Sequence, residues 1–96
     1  MKIVAEKNWH WILAKSDENY YLSVLLQVSG ATWDFCFKLN TKQVEEYKCY
    51  GIDTINKISN LITPNNLDSN IEVDRKTREQ FSFAVQEYRK NESASA

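Results

Sequence analysis

Two stretches of strict alternation, placed back to back, limit what this chain can become. From Trp33 to Leu39, Trp33, Phe35, Phe37 and Leu39 fall on one side, with Asp34, Cys36 and Lys38 on the other. From Tyr20 to Val28 the pattern repeats: Tyr20, Leu22, Val24, Leu26 and Val28 share one face, while Tyr21, Ser23, Leu25 and Gln27 take the opposite one. A period of two belongs to a half-buried strand, because successive side chains leave a pleated backbone in opposite directions. Between the runs lies Ser29-Gly30-Ala31, where Gly30 supplies the positive φ of a tight hairpin turn. Upstream, the polar turn Ser16-Asp17-Glu18-Asn19 joins Tyr20 to a run from Trp9 to Lys15, in which Trp9, Trp11 and Leu13 alternate with His10, Ile12 and Ala14. The pattern predicts a three-stranded antiparallel meander with its first strand at the sheet edge. It assigns Trp9 and Trp11 to the core, beside Trp33, Phe35 and Phe37, and turns His10 away from it.

The texture changes at Asn40. Asn40 can cap a helix, with Gln43 at the third helical position as in a capping box. Val44, Tyr47 and Lys48 make one side of that helix, and Gly51 ends it. Asp53 reads as a second cap, after which Ile55, Ile58 and Ile62 recur at helical spacing, flanked by Ile52 and Leu61, until Pro64 stops the run. Both helices need an apolar surface to cover, and the aromatic face of the meander provides one. The stretch TPNNLDSN, residues 63–70, reads as a linker. Past it, residues 75–90 fit two patterns: Phe81, Phe83 and Val85 alternate, whereas Thr77, Phe81, Ala84, Val85 and Tyr88 make a helical stripe with Asp74 as its cap. The longer stripe favours helix. The expected fold is α+β: a three-stranded antiparallel β-meander, two short helices packed on one face, and a C-terminal helix. Residues 1–92 form one domain in this reading and 93–96 a disordered tail.

Composition narrows the chemistry. The chain has 96 residues, 43% hydrophobic and 26% charged, enough for a core without staples. Twelve Lys and Arg stand against thirteen Asp and Glu, so the basic excess of a nucleic-acid binder is absent. MKIVAEKNW lacks the apolar run of a signal peptide, and no stretch approaches a membrane span, so a cytoplasmic setting and reduced thiols are expected. Cys36 and Cys49 are read as packing residues. His10 is the only histidine, and Cys36 is the one thiol on a nearby strand; two strand spacings, roughly 10 Å, would separate them. That distance excludes direct proton transfer, so no catalytic residue is assigned. One His and two Cys lack zinc-ligand spacing, and two glycines cannot build a phosphate-binding loop, so neither metal nor cofactor is expected. The carboxylate pairs Asp17-Glu18 and Glu45-Glu46 read as solvated surface. A base-stacking role for Tyr20, Tyr21, Trp33, Phe35 and Phe37 conflicts with the need of the two helices to bury their isoleucines on that face.

What remains is binding through a surface. The run WDFCFKLNTKQVEEYKCYGIDTINKISNLI (Trp33 to Ile62) strings together a hydrophobic strand, a Leu-Asn-Thr helix start, a Glu-Glu pair, a glycine and a second amphipathic helix ending in Leu-Ile. Over about Trp9 to Ile62 the chain resembles the short bacterial immunity proteins of polymorphic-toxin and contact-dependent growth inhibition systems. The resemblance implies a small α+β domain that binds and neutralises a cognate protein toxin domain, frequently a nuclease, with no direct nucleic-acid or membrane contact. Acids steer a basic partner, so Asp17, Glu18, Asp34, Glu45 and Glu46 are the candidate partner-binding residues. Tyr21, placed beside Asp34 on the neighbouring strand, is the candidate anchor. The alternative is a non-catalytic adaptor or accessory subunit, homodimeric through the outer sheet face at Ile12, Tyr21 and Leu25.

Overall fold

Every strand of this sheet has apolar side chains on both faces, and the helices are distributed accordingly. The structure, a computed structural model, describes residues 1–68 and 70–95. Strands β1 (Lys2–Lys7), β2 (Trp11–Ser16), β3 (Asn19–Val28) and β4 (Ala31–Lys38) form one antiparallel sheet in sequence order. Helices α1 (Thr41–Tyr50), α2 (Ile52–Leu61) and α3 (Arg75–Ser95) follow. Trp11, Leu13, Leu22, Val24, Phe35 and Phe37 meet Ile55 and Ile58 of α2 on the inner face, with Val44 and Tyr47 of α1 packed against them. On the outer face Ile3, Ala14 and Cys36 meet Phe81 and Ala84 of α3, flanked by Ile12, Tyr21, Val85 and Tyr88. The stripe expected for α3 is thus the one that packs, and its strand alternative is excluded.

The sheet has four strands rather than three. β1 escapes the period-two pattern because its register shifts between Ile3, opposite Ala14, and Ala5, opposite Leu13. This bulge lets Ile3 join the outer cluster and Ala5 the inner one, a placement uninterrupted alternation forbids. The edge position therefore belongs to β1, and β2, expected there, is paired on both sides. Along β4, an isolated bridge from Phe37 to Glu72 and the bond from Val73 N–H to Cys36 O cover part of the other edge.

Helix ends follow local chemistry. Asn40 Oδ1 accepts from Gln43 N–H at 2.8 Å and Gln43 Oε1 accepts from Asn40 N–H at 2.9 Å, completing the capping box. Gly51, at φ 71°, closes α1 and is also the first cap of α2; Asp53, expected in that role, lies inside the first turn instead. Thr54 Oγ1 donates to Glu46 O, and Trp11 Nε1–H donates to Asn56 Oδ1 at 3.0 Å, so α2 is tied both to α1 and to the sheet. Asp74 Oδ1 accepts from Thr77 N–H at 2.8 Å at the start of α3, and these bonds from Thr77 hold the Asp74 carboxyl below its usual range. α3 runs to Ser95. Ala96, and Ser69 within the expected linker, lie outside the described residues.

Ion pairs from two arginines tie α3 to its surroundings on the outer face. Arg78 reaches Asp34 of β4 at 3.0 Å and Glu72 at 3.8 Å, and Arg89 reaches Glu6 of β1 at 3.3 Å. Such partly exposed pairs contribute little to stability, about 0–1 kcal/mol each, beside the apolar packing of Phe81 and Ala84. Ile55 is 0% exposed at the centre of the inner layer. Ile55→Ala is expected to cost about 2–5 kcal/mol in urea unfolding; a loss under about 1 kcal/mol would mean that α2 is not packed on the sheet.

Candidate functional site: an open groove beside Trp9

The opening pair of tryptophans separates into two fates. Trp11 begins β2 and is buried, but Trp9 sits in the β1–β2 turn and is 77% exposed. Its assignment to the core is corrected for a local reason: the chain reverses between Lys7 and His10, where His10 N–H donates to Lys7 O at 2.9 Å. The turn holds Trp9 at φ 67°, in the third position of a β-turn where glycine is the usual solution. An L-residue in this left-handed region costs about 1–2 kcal/mol. Packing does not offset that cost here, since most of the indole faces solvent. Trp33, also expected in the core, is 37% exposed. It lies where the β3–β4 hairpin extends beyond the first residue of β2, Trp11, which pairs with Val24.

Trp9 forms the lip of a groove of about 640 Å³. Ile12, Leu25 and Asp34 form its sheet side, and Phe81, Val85 and Arg89 of α3 its helix side. α3 packs over Tyr21, Ala14 and Cys36, and the groove lies beside it at the end of the sheet near the β1–β2 turn. Of the charged groups around it, Asp34, Glu6 and Arg89 are engaged, while Lys7 lines it with no ion pair among the described residues. Asp34 accepts from Ser23 Oγ at 3.1 Å and from Arg78 at 3.0 Å, and Glu6 accepts from Arg89 at 3.3 Å. His10 lines the groove through an exposed side chain, while its backbone O accepts from Leu25 N–H.

The six candidate binding residues do not converge. Tyr21 pairs with Lys38 and Asp34 with Leu25, so Tyr21 is not beside Asp34. Tyr21 packs under α3 and Asp34 alone lines the groove. Asp17 and Glu18 form the β2–β3 turn, with Asp17 at φ 55°, and the ring contact of Tyr20 with Tyr47 at 5.5 Å brings α1 alongside that end. Glu45 and Glu46 are exposed on α1. The same elements carry Lys15, Lys38, Lys42 and Lys48, so acids and bases intermingle there. The outer sheet face expected to join two copies is likewise mostly closed: Ile12 and Tyr21 pack with the α3 cluster, and only part of the face near Leu25 is open.

Reactive groups are poorly placed for chemistry. Burial, with Asp34 adding repulsion, pushes the Cys36 thiol up to about 12, so it stays protonated at neutral pH. Cys49 is exposed on α1 rather than packed, a correction to its expected role. Among the described residues no His, Cys, Asp and Glu group has the form of a metal site, and no helix is long and apolar enough to cross a membrane. The aromatic face considered for base stacking is occupied by α1 and α2: Tyr20, Phe35 and Phe37 are all buried.

Sequence reasoning missed Trp9 as a lip and Glu6, Phe81, Val85 and Arg89 as walls. Asn8, a turn-forming residue directly before Trp9, was the one available signal. Comparison of the chain with protein-family models, with curated proteins and with solved structures gave no match.

Two outcomes follow. Trp9→Gly should be more stable than Trp9→Ala by about 1 kcal/mol, the reverse of the order at an ordinary exposed site; equal stabilities in urea would remove the backbone strain. A thiol-specific chromogenic reagent should modify Cys49 rapidly in the native protein and Cys36 only on unfolding. Rapid modification of both would contradict the burial of Cys36.

Proposed function

We propose that this chain is a non-catalytic binding domain of the immunity type, which neutralises a cognate toxin domain by occupying it, and that the toxin lands on the groove beside Trp9. The observation that carries this reading is the exposed indole of Trp9 on a strained turn. A large apolar ring that is neither buried nor relaxed is retained at a cost to stability, and such strain concentrates at functional positions. Tryptophan is among the residues that dominate protein interfaces, and the apolar wall formed by Leu25, Phe81 and Val85 beside it suits an inserted side chain. A small-molecule site of this volume would be expected to offer converging unpaired polar groups. Here the carboxylates are already committed to arginines and to Ser23. That favours a protein surface as the occupant.

The resemblance to immunity proteins over about Trp9 to Ile62 adds support, and the run from Trp33 to Ile62 that carries it falls on β4, α1 and α2. The charge distribution modifies the expected mechanism. Because Asp17, Glu18, Glu45 and Glu46 are interspersed with lysines, and Asp34 is neutralised by Arg78, long-range steering of a strongly basic nuclease has little behind it. A toxin of balanced charge, recognised by shape and apolar contact, fits the surface better.

The test is capture of a stoichiometric partner from the source cell on tagged protein, identified by mass, followed by titration of its purified toxin domain. Trp9→Ala should weaken that complex by about 30-fold or more, corresponding to about 2 kcal/mol at an anchor residue. Glu45→Lys and Glu46→Lys should change it by less than about threefold. The opposite ranking would move the interface to α1, and undiminished protection of toxin-expressing cells by Trp9→Ala would overturn the assignment of the groove.

A further inference from the structure

We infer that α3 is a strap: it releases from the outer face as a unit while the inner layer stays folded, and its position sets the opening of the groove. The two apolar layers of the sheet are unequal and separate. Among the described residues the inner cluster has eleven buried members and the outer cluster five, with none in common. Every buried member of the inner cluster lies between Trp11 and Ile58, so that layer is complete before α3 begins at Arg75. The sheet offers α3 chiefly small side chains, Ala14 and Cys36, beside Ile3 of the edge strand. In return, Phe81 and Ala84 are the buried side chains of a 21-residue helix, among those described. Proteins open locally in cooperative units, and the unit with the fewest buried apolar contacts opens at the lowest free energy.

The polar ties of α3 do not close that gap. Arg78 and Arg89 pair with Asp34, Glu72 and Glu6 through partly exposed groups, and water takes their place on release at little cost. α2 is held differently: Trp11 Nε1–H donates to Asn56 Oδ1, and the buried Thr54 donates to Glu46 O. The strap has a fixed end, since Glu72 bridges to Phe37 and Val73 N–H donates to Cys36 O just ahead of α3. The Asp74 cap on Thr77 N–H and the pair of Arg75 with Glu79 support the first turns of the helix without the sheet. Phe81, Val85 and Arg89 form the helix side of the groove, so release removes that wall and joins the groove to the strip over Ala14, Tyr21 and Cys36. The inference does not depend on the toxin-binding reading, because the motion is internal and its test requires no partner.

Cys36 reports the release. While α3 is docked the thiol is buried, with its pKa pushed up to about 12, and the unfolding that admits a reagent to it is that of α3 alone. The full chain carrying Cys49→Ser, which removes the exposed thiol, is treated with a chromogenic disulfide reagent at urea concentrations below the unfolding transition. The Cys36 rate should follow an opening whose urea dependence is less than about half that of global unfolding. Phe81→Leu should raise the rate without urea at least about fivefold. Ile55→Val should lower the urea midpoint of global unfolding yet leave that rate within about twofold. Both substitutions are mild, and far-ultraviolet circular dichroism of each variant verifies folding. A Cys36 rate that rises in Ile55→Val by the factor through which global stability falls would overturn the inference. So would a urea dependence equal to that of global unfolding, because the outer layer would then open only with the whole domain.

Discussion

Everything in this molecule depends on covering a sheet that is apolar on both sides. β2 alone sends Trp11 and Leu13 to one face and Ile12 and Ala14 to the other, and β3 and β4 repeat the demand. A meander with one wet face would be complete with α1 and α2. This one needs a third helix behind it, and α3 meets the need with Phe81, Ala84, Val85 and Tyr88. The Val4 bulge serves the same constraint at the edge, turning Ile3 to one layer and Ala5 to the other.

Coverage of the outer face is incomplete, and the consequence is the groove. One helix packs on the outer face, whereas two pack on the inner face. The ion pairs at Arg78 and Arg89 join α3 to β4 and β1 without supplying much stability. They also neutralise Asp34 and Glu6, leaving a surface in which shape and apolar contact outweigh charge. Trp9 stands at its rim in a backbone conformation better suited to glycine. A more relaxed turn was chemically accessible, so the indole is the costly element of the design and the natural place to look for function.

Much of the architecture was legible in the residues. Alternation located β3 and β4, and Gly30, at φ 82°, makes the turn between them as its type suggested. Asn40 and Gln43 marked the start of α1, and the stripe at Phe81, Ala84, Val85 and Tyr88 marked α3. β1 was missed because a bulge erases the periodicity by which a strand is recognised. The candidate site was much less legible. Asp34 was the one expected binding residue that lines the groove, while Tyr21 is covered by α3 and the acids of the β2–β3 turn and α1 lie elsewhere.

Local sequence determined the elements of this protein: where strands alternate, where caps and glycines end helices, and which stripe of each helix is apolar. These are decided within a few residues by sterics and by hydrogen bonds between near neighbours. Only the tertiary structure decided which face each helix covers, that Trp9 leaves the core while Trp11 remains in it, and that an open strip persists beside α3. Those outcomes depend on contacts between residues far apart in the chain, such as Arg78 with Asp34, Arg89 with Glu6 and Trp11 with Asn56. A periodic pattern fixes which side chains share a face, but not what that face will meet.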